Sequence, residues 1–387
     1  MAKNWMAKFD ELDGFVSEIK DPYAEGIRSS SPSVNFIFGN THLIPRGAAV
    51  IFWGPPKGGK SLICNDIIGR LHQDDPEALV FKFDTEFREK YQMTERAIKM
   101  WGIDPERYRC RSTNKPEEIF DFIEKDIVDL CQKGAPIKLI VIDSVTDIMG
   151  RRAMNATSVS TQQIGDEAAT LTTGLKRIKS VIKNYGITLL MVCQERAELD
   201  QLEQMRGKKT KMAGSFYLKH AAEFFVYVAP NESKEGKTTL LGEKFENAAM
   251  TDVMDNPDTV AHRIKLQMKA SSVGLAKRVG EFTFDRYRGL INIHEEVFRL
   301  GIARNVLEQP NNRSYILKDW PETGQESKWT SKEDMLINIK QNEDLGKEII
   351  KRVKMKDIEL YQNGAPDQPF VAADSNLEEN ETEESDA

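Results

Sequence analysis

The chain has 387 residues, of which 30% are Asp, Glu, Lys or Arg, and a formal charge of −7. That length exceeds a single compact core and predicts one main domain with smaller appendages. No apolar run is long enough to span a bilayer, and the opening MAKNWMAKFDELD lacks the apolar core of a signal peptide, so a cytoplasmic protein with no membrane role is expected.

In chain order, Phe9, Leu12, Val16 and Ile19 fall at helical spacing. The polar stretch EGIRSSSPS (25–33) comes next and reads as a tether, so residues 1–32 form an N-terminal helix and its link. The body then alternates. Apolar runs at 48–53, 78–84, 137–143, 187–193 and 223–229 predict strands. Helical patterns run from Ser61 to about His72, from Glu117 to Gln132 and from Gly165 to Tyr185, with Gly186 placed to end the third. Near-continuous apolar strands separated by helices predict an α/β core, a mostly parallel sheet with helices on both faces. HRIKLQM (262–268) and VGEFTFD (279–285) have no helix between them and predict an antiparallel extension at the sheet edge. The core is thus placed at 33–290.

A small α+β C-terminal domain is expected over 291–360, with a helix near INIHEEVFRLGI and a long one opened by the capping box Thr330 to Glu333 and running through IIKRVK. Residues 361–387 read as a disordered tail. Its last stretch, 372–387, holds seven acids and no Lys or Arg, which accounts for the whole formal charge. Such a tail either solubilises the chain or competes with nucleic acid for a basic surface. The four cysteines, Cys64, Cys110, Cys131 and Cys193, form no CxxC pair and read as buried thiols rather than disulfides or zinc ligands.

VIFWGPPKGGKSLICNDIIG (50–69) joins a strand to a helix through a turn with little side chain. Gly54, Gly59, Lys60 and Ser61 match G-x-x-x-x-G-K-[ST], in which backbone N–H groups cradle phosphate oxygens. Gly54, Pro55, Pro56, Lys57, Gly58, Gly59, Lys60, Ser61 and Leu62 are therefore the predicted nucleotide site, with the helix dipole behind it. Lys60 reaches the β- and γ-phosphates, and Ser61 ligates Mg²⁺. Asp143 ends the strand IKLIVID, where a carboxylate holds Mg²⁺ through water. Glu86, at the end of FKFDTE, is the expected base for the attacking water, against the alternative of a helix-capping acid. Gln194 ends MVCQ, where an amide that bonds the γ-phosphate or that water reports nucleotide state to the segment beyond it.

Two long segments leave the carboxyl ends of strands, where ligands of such sheets gather. The first, about 150–165, carries Arg151 and Arg152; the second, 195–214, carries Arg196, Arg206, Lys208, Lys209 and Lys211. This charge suits gripping a sugar–phosphate backbone without reading its bases. The competing reading is two solvated surface loops.

From about Ser31 to Met355 these residues resemble the RecA/UvsX family of homologous-recombination ATPases. GAAVIFWGPPKGGKS is similar to the family's P-loop, FKFDTEF to its D-x-E segment, IVIDSV to its Walker B strand, and the stretch ending in MVCQ to its sensor glutamine. The loose match to bacterial members points to a phage-encoded one, acting in the host cytoplasm. The resemblance implies ATP and Mg²⁺ as cofactors, and a helical homo-oligomer on single-stranded DNA. It also implies double-stranded DNA as second substrate, homologous pairing and strand exchange, and a single-strand-binding protein and a loader as accessory partners. In such a filament the N-terminal helix packs on a neighbouring subunit. Lys269 in QMKASS maps to the first of two lysines that reach a neighbour's γ-phosphate; Ser271 stands at the second. Tyr91 is the candidate for stacking on adenine, although alignment back from Gly102 puts Ala97 there. The second segment ends in Met212-Ala-Gly214, without the family's paired glycines or the aromatic of bacterial members. Two other readings are a hexameric DNA motor of the same core fold, and a nucleotide-regulated annealing protein.

Overall fold

A computed structural model describes residues 25–39, 41–150, 165–198, 205, 210–213, 218–231, 237–239, 259–272 and 276–363. In chain order its elements are β1 (Gly26–Ile27), α1 (Pro32–Phe36), β2 (Ile44–Pro45), β3 (Ala49–Gly54), α2 (Lys60–Asp74), β4 (Leu79–Asp84), α3 (Glu89–Gln92) and α4 (Glu95–Trp101). Next come β5 (Tyr108–Ser112), α5 (Pro116–Asp121), a π-helical stretch (Phe122–Ile127), α6 (Val128–Gln132), β6 (Ile137–Asp143), α7 (Asp166–Asn184), β7 (Thr188–Ala197), β8 (Thr210–Met212) and α8 (Leu218–Ala221). The remainder is β9 (Phe224–Pro230), β10 (Lys237–Thr239), β11 (Thr259–Ser271), β12 (Val279–Asp285), β13 (Gly289–Ile291), α9 (Ile293–Ala303), β14 (Glu308–Asn311), β15 (Ser314–Lys318), β16 (Glu326–Trp329), α10 (Lys332–Gln341) and α11 (Glu343–Asn363).

The central sheet runs β13-β12-β11-β9-β3-β7-β6-β4-β5. From β9 to β5 the pairs are parallel; β11, β12 and β13 extend it antiparallel. Strand alternation divides the core. Val50, Phe52, Val80, Leu139 and Val141 pack on one face with Ile63, Ile67 and Ile68 of α2. Ala49, Ile51, Phe83, Ile140 and Ile142 pack on the other with Ile119, Ile123 and the α7 residues Leu171, Leu175 and Ile178. The expected α/β core with helices on both faces is present, as is its antiparallel extension. The sheet also has a strand at β5, which the charged sequence YRCRS concealed.

Residues 25–33, expected as a tether, belong instead to the packed body. Ser29, Ser31 and Ser33 are buried. Ser29 Oγ and Ser30 N–H donate to Asp66 of α2. Ser31 Oγ and Ser33 N–H donate to Glu296 of α9 at 2.5 and 3.0 Å. Hydroxyls and amides that read as solvent-facing are used to hydrogen-bond two buried carboxylates. The N-terminal helix expected before them lies outside the described residues, as does the acidic tail.

The C-terminal module has its own apolar cluster, built on Val297, Phe298, Leu317, Trp329, Met335, Ile349 and Val353, but Phe36 of α1 sits in it. A buried polar network adds to the joint. Asp357 of α11, fully buried, accepts from His42 Nε2 (2.7 Å), Arg278 (3.1 and 3.2 Å) and Arg304 Nε (2.6 Å). The long helix expected from 330 is two helices. Ser331, not Thr330, caps α10 by accepting from Asp334 N–H, and Asn342 leaves helical geometry (φ −114°) and caps α11 through Leu345 N–H. The hairpin strands β14–β16 lie between α9 and α10.

Candidate nucleotide and nucleic-acid site

β3 lies between β7 and β9 at the middle of the sheet, so the chain reaches Gly54 at a central carboxyl edge. Gly54 (φ 149°) and Gly59 (φ 97°) take dihedrals that favour glycine, and at Gly54 a backbone contact requires it as well. A Cβ at Gly54 would come 2.2 Å from Val228 O, and one at Gly59 would meet Ile264 Cδ1 at 2.4 Å. Gly58 N–H closes the turn on Pro55 O at 3.1 Å. Pro56 and Lys57 are exposed on its rim, while Leu62 packs against the core. α2 starts at Lys60 with no side-chain cap, so its first N–H groups face the turn.

Lys60 is 6% exposed. Its ammonium donates to Gly54 O (3.0 Å) and Pro55 O (2.6 Å). Burial lowers its pKa; the neighbouring Asp143, Cys193, Glu195 and Glu86 oppose that shift. Asp143 ends β6, with Asp84 of β4 and Val192 of β7 as Cα partners. Thr85 grips the peptide after it: Thr85 Oγ1 donates to Ser144 O and accepts from Ser144 N–H, both at 2.7 Å. The Asp143–Ser144 bond is cis.

Gln194 pairs with Gly54 in the β3–β7 register, which puts the amide beside the glycine turn. Gln194 Nε2 donates to Glu86 Oε1 at 2.7 Å, and Arg88 Nη1 lies 2.7 Å from Glu86 Oε2. Burial raises the Glu86 pKa, against the lowering by Gln194 and Arg88. The capping role weighed for Glu86 belongs to Asp84, which accepts from Glu86 N–H (3.2 Å), Glu89 N–H (2.8 Å) and Ser112 Oγ (3.1 Å).

Contacts and strand register thus bring Lys60, Asp143, Glu86 and Gln194 together. The donor set fits Mg²⁺: one hydroxyl, Ser61, at the helix start, and one carboxylate on the neighbouring strand end, with the remaining ligands expected from phosphate and water. Among the described residues no all-protein metal cage exists, and none is needed for this mode.

Other sequence expectations land less centrally. Tyr91 on α3 is 72% exposed, with Lys90 Nζ 4.9 Å from its ring centre. The rival Ala97 packs against the core. Lys269 is exposed at a bulge of β11, where the register shifts between Met268 and Ala270, and its ammonium lies 5.4 Å from the Tyr227 ring centre. Arg151, Arg152, Arg206, Lys208 and Lys209 lie outside the described residues. Arg196 and Lys211 are both exposed and are Cα partners in the β7–β8 ribbon; Lys211 Nζ also pairs with Glu198 at 2.8 Å. The segment expected as a loop from 195 therefore starts and finishes as antiparallel strand. Sequence reasoning missed Lys82, Thr85 and Arg88. Lys82 had a signal: a lysine inside an apolar run flanked by buried strands must be paired.

Fold and site together define a P-loop nucleotide-binding protein of the α/β class. A family model described as the RecA N-terminal domain matches residues 16–267. Protein RecA of Mycolicibacterium gilvum is 20% identical over 319 residues, covering 81% of this chain and 77% of that protein. Protein RecA of Mesoplasma florum is 22% identical over 265 residues, covering 68% and 69%. For that of Mycoplasma genitalium the figures are 24% over 313 residues, 80% and 79%. The chain belongs to the RecA family of recombinases. Among the described residues, no helix is long and apolar enough to cross a membrane.

Proposed function

We propose that this chain is a DNA-dependent ATPase that assembles as a helical filament on single-stranded DNA and there catalyses homologous pairing and strand exchange. One observation carries the reading. Gln194, beside the P-loop, is bonded to Glu86 and stands on a strand that continues into the ribbon bearing Arg196 and Lys211. Nucleotide state and polynucleotide grip thereby share one strand.

In this mechanism Lys60 and the N–H groups of the glycine turn hold the phosphates. Ser61 and, through water, Asp143 would hold Mg²⁺, which would supply neutralisation of the phosphate charge. Glu86 orients and deprotonates the attacking water, and Gln194 exchanges its bond to Glu86 for one to the γ-phosphate or the water. Arg151, Arg152, Arg196, Arg206, Lys208, Lys209 and Lys211 contact the DNA backbone. Lys269 serves the neighbouring subunit's phosphate, and Tyr91 is the base-stacking candidate. Residues 1–24 contact a neighbour. The finer reading is a phage-encoded member working in host cytoplasm, with a single-strand-binding protein and a loader as partners.

The test is electron microscopy with single-stranded DNA and a non-hydrolysable ATP analogue, with ATPase assays beside it. Filaments and a DNA-stimulated rate are expected. Lys60→Ala should lose both. Rings would favour a hexameric motor, and a rate indifferent to DNA would sink the recombinase reading.

A further inference from the structure

Lys82 occupies a position where the alternation of β4 calls for an apolar side chain. Val80 on the same face, and Val141 beside it on β6, are fully buried. The Lys82 side chain is 1% exposed. Such a lysine is strongly destabilising unless charges and hydrogen bonds surround it. Three elements supply them: Nζ lies 2.8 Å from Glu89 Oε2 of α3, 3.5 Å from Asn65 Oδ1 of α2 and 3.6 Å from Asp143 Oδ2 of β6. Burial alone would lower its pKa, but Asp143 and then Glu89 outweigh burial and hold it above the usual lysine range. Glu89 is held in turn by the Tyr108 hydroxyl of β5, and its own N–H by Asp84.

Glu89 and Asn65 supply partners for two of the ammonium's three donors, and Asp143 faces it as a second carboxylate. What Asp143 gains is a fixed orientation. One carboxylate oxygen faces a buried cation on the protein side, which leaves the other for the site in front of it. The same ammonium ties that carboxylate to Glu89 at the start of α3.

We propose that Lys82 is a positioning residue for the metal side of the nucleotide site, acting through Asp143 without touching nucleotide. The inference rests on the nucleotide reading above. It predicts an effect confined to the Mg²⁺-dependent part of binding, whereas a merely structural lysine would disturb binding with and without the metal.

The test uses the full chain and a fluorescent ADP analogue, titrated in excess EDTA and again in Mg²⁺. Lys82→Met with Glu89→Gln removes both charges together, so that Asp143 is the one carboxylate deprived of the ammonium. The expected result is EDTA affinity within about twofold of the parent and a loss of about tenfold in the Mg²⁺ enhancement, the scale typical of groups that orient metal ligands. An unchanged enhancement, or equal losses in both buffers, overturns the proposal. Should circular dichroism show the double variant unfolded, Lys82→Gln, which keeps donors without charge, takes its place. A loss of about threefold or more, again confined to Mg²⁺ buffer, is expected, and an unchanged enhancement overturns it. A parent chain that fails to bind the analogue in either buffer overturns the nucleotide reading itself.

Discussion

Gln194 donates an amide hydrogen to Glu86 across 2.7 Å, joining the carboxyl ends of β7 and β4 with the Asp143 end of β6 between them. This bond holds the Glu86 pKa down, whereas burial pushes it up. Gln194→Ala should therefore raise that pKa further. A base must be ionised to act, so the acidic limb of the ATPase pH profile should move to higher pH. The DNA-stimulated rate at neutral pH should fall by up to about 100-fold, the low end of a general-base contribution, because the base is perturbed and not removed. A pH–rate series on parent and variant measures both, and an unmoved limb would remove Glu86 from the role of base.

Glu296 is buried, and its Oε1 has no hydrogen-bond partner among the described residues. Burial pushes its pKa up to about 7. The sign is that of a raised acid. Between about pH 4.5 and 7 the folded chain holds this proton and the unfolded chain does not, so stability falls as pH rises through that window. Glu296→Gln deletes the titration. The variant should gain on the parent by about 3 kcal/mol by pH 8, with the gain vanishing towards pH 4.5. Denaturant unfolding across that range tests it; a pH-independent difference would show that Glu296 is not the titrating group.

Asp357 offers the opposite case. Burial would raise its pKa, but His42, Arg278 and Arg304 together hold it below the usual carboxylate range. Asp357→Asn strips the negative charge from two buried guanidinium groups. A loss of about 3–5 kcal/mol is expected, since removing one member of a buried ionic cluster strands the others. Thermal unfolding and hydrogen exchange in α9 and α11 would register it, and a loss under about 1 kcal/mol would show that Arg278 and Arg304 find other partners.

Deletion of residues 372–387 removes seven carboxylates and no cation. If the tail competes with DNA phosphate, single-stranded DNA affinity should rise at low Mg²⁺ and low salt, with the gain shrinking as salt increases. Anisotropy titrations at two ionic strengths decide this. Equal affinities at both would reduce the tail to a solubilising role.

Local chemistry is readable from the chain; partnership across it is not. The glycine turn, Asp143 and the strands β3, β4, β6, β7 and β9 arise from short motifs and apolar runs. Glu86 and Gln194 each stand out at strand ends, but nothing in the sequence shows that they bond to each other, because the register of β4, β6 and β7 sets that. Ser29, Ser31 and Ser33 mislead because hydroxyls look alike whether they face water or a buried carboxylate. β5 escapes notice because YRCRS is an edge strand with its arginines outward, so it lacks the apolar run of its neighbours. The break at Asn342 is hidden because the helical period continues across it, while one amide caps the next helix.

Phe36 comes from the first described helix yet completes the apolar cluster of the last module. Residues 291–363 are therefore not a detachable cassette. A truncation at 290 would uncover Phe36 and strand Arg278 without Asp357. A chimera that borrows this module from a relative must import the 31–42 segment with it, or be redesigned at that seam.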